Sequence, residues 1–151
     1  LKQGEQVIAD NFADVTVLFA DIVDFTRFSA HMLPTELVVL LNEIFSKFDY
    51  LAEEHGLEKI KTAGDEYMVV GGLPTPRLDH AVTQFSVNDN EPLSVRIGIH
   101  TGPVVAGIIG TKKFSYDLWG DTVNIASRME SHGLNGCTQV TAATYERLCD
   151  K

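Results

Sequence analysis

Residues 34–56, PTELVVLLNEIFSKFDYLAEEHG, carry Leu37, Leu40, Leu41, Ile44, Phe45, Phe48 and Leu51 at helical spacing between a proline start and a glycine stop. A helix with one apolar stripe has to bury it, and the flanking segments supply a sheet. DVTVLFAD, 14–21, is a β-branched and aromatic run ending in a carboxylate. LEKIKTAGDEYMVV, 57–70, reads as two strands around the turn Ala63-Gly64-Asp65. TPRLDHAVTQF suggests a short helix, and LSVRIGIHTGPVVAGIIG, 93–110, supplies strand residues interrupted at Thr101-Gly102-Pro103. The order β, long α, β, β, α, β predicts an α+β chain with a ferredoxin-like βαββαβ sheet core and helices on one face. FSYDLWG as a strand, DTVNIASRMESHG (121–133) as a helix with Asp121 as N-cap, CTQV as a strand and TAATYERLCDK as a helix form a C-terminal extension.

In that topology the first strand lies antiparallel to the third. The end of DVTVLFAD then stands beside the start of DEYMVV, which brings Asp21 and Asp65 to one sheet edge. Paired carboxylates repel, so one takes up a proton unless a cation is present, and two Mg²⁺ ions would resolve the conflict. Strand alternation places Lys59 and Lys61 on one shared face. After Asp21, a strand end runs into a helix start over Ile22, Asp24, Phe25 and Thr26, whose backbone N–H groups could cradle phosphate oxygens. In the later helix Asn124 and Arg128 stand four apart, on one face suited to a ribose and a phosphate, and apolar and aromatic residues surround Asp117.

Several function classes are excluded. A net charge of -9 opposes nucleic acid as a partner, since that binding rests on Lys and Arg. An anionic substrate would then reach the protein through metal ions held by carboxylates. The Walker A, GxGxxG and GxSxG patterns are missing, the five histidines have no metal spacing, and Cys137 and Cys149 fit two ordinary thiols in a reducing cytoplasm. The 151 residues fit one domain, expected over 13–151, with the polar opening LKQGEQVIADNF (1–12) as the end of a linker or helix from an upstream region.

Taken together, VTVLFADIVDFT, EKIKTAGDEYMVV, RIGIHTGPVVAG and YDLWGDTVNIASRMES closely resemble, in order, the signatures of class III nucleotidyl cyclase catalytic domains, of the bacterial-like adenylyl type. The resemblance runs from about Asp10 to the chain end. It implies an enzyme converting ATP to cyclic AMP and pyrophosphate, with two Mg²⁺ or Mn²⁺ ions per site at Asp21, Ile22 and Asp65. It also implies that Lys61 and Asp117 read the base, that Asn124 orients the ribose and that Arg128 stabilises charge developing on the phosphates. A head-to-tail homodimer with shared sites, an upstream regulatory domain and a cytoplasmic location follow, whether or not the parent chain is membrane-anchored. A guanylyl cyclase would carry Glu and Cys in place of Lys61 and Asp117. A catalytically silent regulatory domain would lack a metal or transition-state residue, and Asp21, Asp65, Asn124 and Arg128 are all in place. The chain departs from the family pattern at Asp24, where glycine is usual, and in a short segment after Val82. It also ends before a further phosphate-binding lysine and a last strand pair, a C-terminal truncation.

Overall fold

A computed structural model describes residues 8–72 and 94–149. Its elements run β1 (Ile8–Ile22), α1 (Phe25–Ser29), α2 (Pro34–Glu54), β2 (Glu58–Ala63), β3 (Glu66–Gly71), β4 (Val95–Ile109), β5 (Ser115–Trp119), α3 (Asp121–Ser131), β6 (Thr138–Val140) and α4 (Ala142–Cys149). The strand order is β2-β3-β1-β4-β5, with β6 parallel to β4 and β1 antiparallel to both β3 and β4. This is the expected ferredoxin-like sheet with its extension, an α+β fold. The helix expected within TPRLDHAVTQF lies outside the described residues.

Alternation along β1 and β3 divides the core into two layers. Leu18, Ala20, Tyr67 and Val69 pack with Phe48 and Ala52 of α2, whereas Val15, Val17, Phe19, Met68 and Val70 pack with Ala126 of α3. So α3 covers the face opposite α2, which refines the expectation of helices on one face. Its close seat depends on Gly98, where a β-carbon would overlap the backbone of Met129 and Glu130. A buried hydroxyl chain, Thr16 to Thr101 at 3.0 Å and Thr101 to Thr144 at 2.9 Å, seats α4.

Four local expectations are corrected. Residues 8–12, expected as linker or helix, are strand, with Ile8 paired to Ile108 and Phe12 to Val104. The alternation there is too polar to announce a strand, because only part of it is covered. The interruption expected at Thr101-Gly102-Pro103 is instead continuous strand, and the irregularity is a bulge between Phe12 and Val15 opposite it. Proline lacks a ladder donor and is tolerated at such a place. Asp121 is the first residue of α3 rather than its cap, Gly120 taking the cap position with φ 129°.

The last correction concerns the lysines. A register shift in β2 sets Lys59 opposite Val69 but Lys61 opposite Met68, so the two no longer share a face. Lys59 lies on the α2 side, 3.0 Å from Asp49, and Lys61 reaches Asp117 of β5 at 2.8 Å. The sheet curls until its two outer strands meet.

Gly98→Ala should destabilise the domain by about 1–3 kcal/mol, because the overlap is with helix backbone that cannot rotate away. Urea unfolding of the two proteins measures the difference.

Candidate active site

The apolar half of β1 ends at Asp21, whose register partners are Glu66 on β3 and Arg96 on β4. The β2–β3 turn uses Gly64 at φ +61°, a conformation glycine adopts without cost, and delivers Asp65 to the same edge. Asp21 and Asp65 meet there as a hydrogen-bonded, mutually repelling pair. Burial first, then Asp65, then the charge of Glu130, push the Asp21 carboxyl up from 3.8 to about 7, against the pull of Arg96. Burial, Glu130 and Asp65 raise Glu66 as well. Strand order and direction alone thus bring both aspartates to this edge, as expected.

Two participants carry no signal in the sequence. Arg96 donates from Nε to Glu130 at 2.8 Å and from Nη2 to Asp21 at 3.4 Å. Glu130, 3% exposed on the inner face of α3, fixes the guanidinium's direction. Arg96 sits in a strand run and Glu130 in a helix run, with nothing in their spacing to connect them; only the sheet register and the Gly98 contact do so.

Among the described residues no three His, Cys, Asp or Glu side chains form a closed metal cage. Two carboxylates with a deficit of positive charge fit an ion that keeps most of its coordination for water and phosphate oxygens, the habit of Mg²⁺. Asp21 and Asp65 are the residues able to hold it. The phosphate-cradle candidates follow directly in the chain: Ile22 is buried at the strand end, Asp24 has φ 59°, and Phe25 and Thr26 open α1. Asp24 occupies a conformation that suits glycine, so the departure from the family pattern carries backbone strain.

Lys61 and Asp117 form a second cluster, and Asp117 also accepts from the Leu118 N–H at 2.8 Å, which orients its other oxygen. Asn124 and Arg128 lie on the exposed side of α3, turned away from the buried Thr122, Ala126 and Glu130. The structure therefore joins Asp21 with Asp65 and Lys61 with Asp117, while Asn124 and Arg128 stand apart on the solvent side.

Residues 7–151 match the family model of the adenylate and guanylate cyclase catalytic domain. The chain belongs to that family. It is 47% identical to an adenylate cyclase of Mycobacterium tuberculosis across 99% of its own length and 37% of that protein. It is 44% identical to guanylate cyclase soluble subunit beta-2 of Rattus norvegicus, across 100% of this chain and 24% of that one. The chain thus spans well under half of the curated relatives it matches. The catalytic core of a rhodopsin-guanylyl cyclase with converted specificity, solved in complex with ATPalphaS, superposes with a TM-score of 0.85 at 35% identity, covering 93% of this chain and 83% of that one. Relatives of both nucleotide classes share the fold, and among the described residues no helix is long and apolar enough to cross a membrane.

The raised Asp21 carboxyl sets a pH dependence. Without metal, the folded chain retains a proton on Asp21 between 3.8 and about 7 that the unfolded chain has released. This contribution to stability is full below the lower value and is lost as pH rises through the upper one. In urea unfolding, the native protein should lose stability from about pH 4 to pH 7 relative to Asp21→Asn. Mn²⁺ binding below pH 7, followed by calorimetry in buffers of different ionisation enthalpy, should release a proton.

Proposed function

We propose that the chain is the catalytic domain of an adenylyl cyclase, which converts ATP to 3′,5′-cyclic AMP and pyrophosphate by in-line attack of the ribose 3′-oxygen on the α-phosphate. The observation that carries this reading is the Lys61–Asp117 pair at 2.8 Å. Adenine presents an acceptor at N1 and a donor at its 6-amino group, matching an ammonium and a carboxylate. Guanine presents the reverse, and polar groups left opposed can discriminate by about 10⁴-fold. Relatives named as guanylate cyclases keep the second nucleotide in view, and a solved core of converted specificity suits a base choice separable from the fold.

Each residue has a role. Asp21 and Asp65, with Ile22 beside them, would hold two Mg²⁺ or Mn²⁺ ions, which would supply Lewis-acid activation to the phosphoryl transfer. Arg96, held by Glu130, presents fixed positive charge at the same edge and suits phosphate oxygens. The backbone of Ile22, Asp24, Phe25 and Thr26 cradles the triphosphate, Asn124 orients the ribose, and Arg128 meets the charge that develops on transfer. The site is assembled from two copies: one contributes the metal aspartates and the other contributes Lys61, Asp117, Asn124 and Arg128. Exposed Ile109, Phe114, Tyr116 and Trp119 along the β4–β5 arm give such a partner an apolar surface. An upstream domain that reorients the two copies would then regulate turnover, and an ATP substrate suits a cytoplasmic domain.

Product formation from ATP and from GTP with Mg²⁺ or Mn²⁺ tests the reading directly, with cyclic AMP as the expected main product. Asp65→Asn should lower turnover by at least about 10²-fold while leaving the urea midpoint near its native value. A folded Asp65→Asn protein with near-native turnover would refute the two-metal role. Mixing Asp65→Asn with Arg128→Ala at concentrations where dimers exchange should recover activity, one of the two sites in each heterodimer being intact.

Base selection has its own test. Lys61→Glu combined with Asp117→Cys should move the ratio of kcat/KM for ATP over GTP toward GTP. An unmoved ratio in an active double variant removes Lys61 from base recognition.

A further inference from the structure

The bulge in β2 lies where two registers collide. Counted from the β2–β3 turn, Ala63 faces Glu66, Thr62 faces Tyr67 and Lys61 faces Met68, as in a regular hairpin. Counted from the other end, Glu58 faces Val70 and Lys59 faces Val69, one step out of phase. Continued regularly from the turn, the pairing would set Ile60 opposite Val69 and Lys59 opposite Val70, so that Lys59 would join Lys61 on one face. Nothing in a two-residue turn forbids that, and β2 is an edge strand paired on one side only.

A clamp on the α2 side opposes it. The buried Tyr67 phenol donates to Asp49 Oδ1 at 2.7 Å, which ties Asp49 of α2 to the sheet. Lys59 Nζ lies 3.0 Å from the same oxygen, 3.2 Å from Oδ2 and 5.4 Å from the centre of the Tyr67 ring. Ile60, the residue in excess, packs instead against the opposite core layer with Met68 and Val70.

We propose that Asp49 and Lys59 are positioning residues for nucleotide selection: they hold the β2 bulge, which keeps a second ammonium away from Asp117 and packs Ile60 into the core beside Lys61. This rests on the reading that Lys61 and Asp117 meet the base. With Lys59 withdrawn to α2, Lys61 meets Asp117 without a second ammonium beside it, and the face offers one donor and one acceptor. With both lysines on that face, two donors compete for one carboxylate and the match to adenine weakens.

The test reads register and selectivity separately. Cross-strand NOEs should link Lys59 to Val69 in the native protein and to Val70 in Asp49→Ala, and kcat/KM for ATP over GTP should fall about two- to fivefold, the range an exposed ion pair can supply. Lys59→Met should shift the register in the same way with a smaller fall in the ratio, since no second ammonium arrives. Deleting Ile60 makes Lys59 opposite Val69 and Lys61 opposite Met68 the regular pairing. Asp49→Ala in the deleted chain should therefore leave both register and ratio unchanged. Native NOEs in both Asp49→Ala and Lys59→Met overturn the proposal whatever the activity. A shifted register with an unmoved ratio overturns the effect on selection. In that case the Lys61→Glu, Asp117→Cys protein shows whether base reading by Lys61 has failed as well.

Discussion

β1 is hydrogen-bonded on both sides along its apolar half and buried on both faces, and that double constraint places everything else. A one-residue slip against either neighbour would exchange Val17 and Phe19 for Leu18 and Ala20 between two differently shaped core layers. The register is therefore fixed by packing, not by the polar residues at its end. Asp21 comes to rest opposite Glu66 and Arg96 because the core upstream allows no other pairing. A sheet edge built this way tolerates electrostatic conflict, since the strand that presents it is held elsewhere.

The conflict is real. Asp21, Asp65, Glu66 and Glu130 converge on a region where the nearby cations are Arg96 and, for Glu66, Lys61. The guanidinium is divided unequally, 2.8 Å to the buried Glu130 and 3.4 Å to Asp21. A carboxylate as buried as Glu130 cannot release its partner without a large desolvation penalty, so Arg96 stays with it. Asp21 is left under-compensated, and this shows as a carboxyl shifted upward where a salt-bridged aspartate would be shifted down. Excess negative charge at a sheet edge, maintained by a core ion pair that cannot rearrange, is a standing preference for a cation.

The sequence shows this site unevenly, for physical reasons. The Asp21–Asp65 pairing was legible because it depends only on strand order and direction, which a long amphipathic helix between two apolar runs determines. Lys61 and Asp117 were named together through the order of motifs, and the structure brings the two side chains within 2.8 Å. The faces of Lys59 and Lys61 were not, because a bulge is decided by competition between a turn and a side-chain clamp, and Asp49 lies in a helix with no local sign of that contact. The strand character of residues 8–12 was hidden by their polarity, which reflects partial exposure along the β4–β5 arm. Arg96 and Glu130 meet across elements that share no pattern, so their ion pair belongs to the tertiary structure alone.

Helix α3 sets a limit on what one chain can do. Thr122, Ala126 and Glu130 are its buried stripe, and Gly98 lets that stripe approach β4 closely enough to fix the helix in rotation as well as position. Asn124 and Arg128 lie about half a turn away from that stripe by the geometry of 3.6 residues per turn. To face Asp21 and Asp65 of the same chain they would have to reach around a helix that packing forbids to roll, past the Glu130 carboxylate that occupies the inner side. The proposed reaction, which needs the metal aspartates together with Asn124 and Arg128, would therefore draw them from different copies. The same packing that locks Glu130 onto Arg96 leaves Arg128 available to a partner, so the division of the proposed site between two chains is already present in the rotation of one helix.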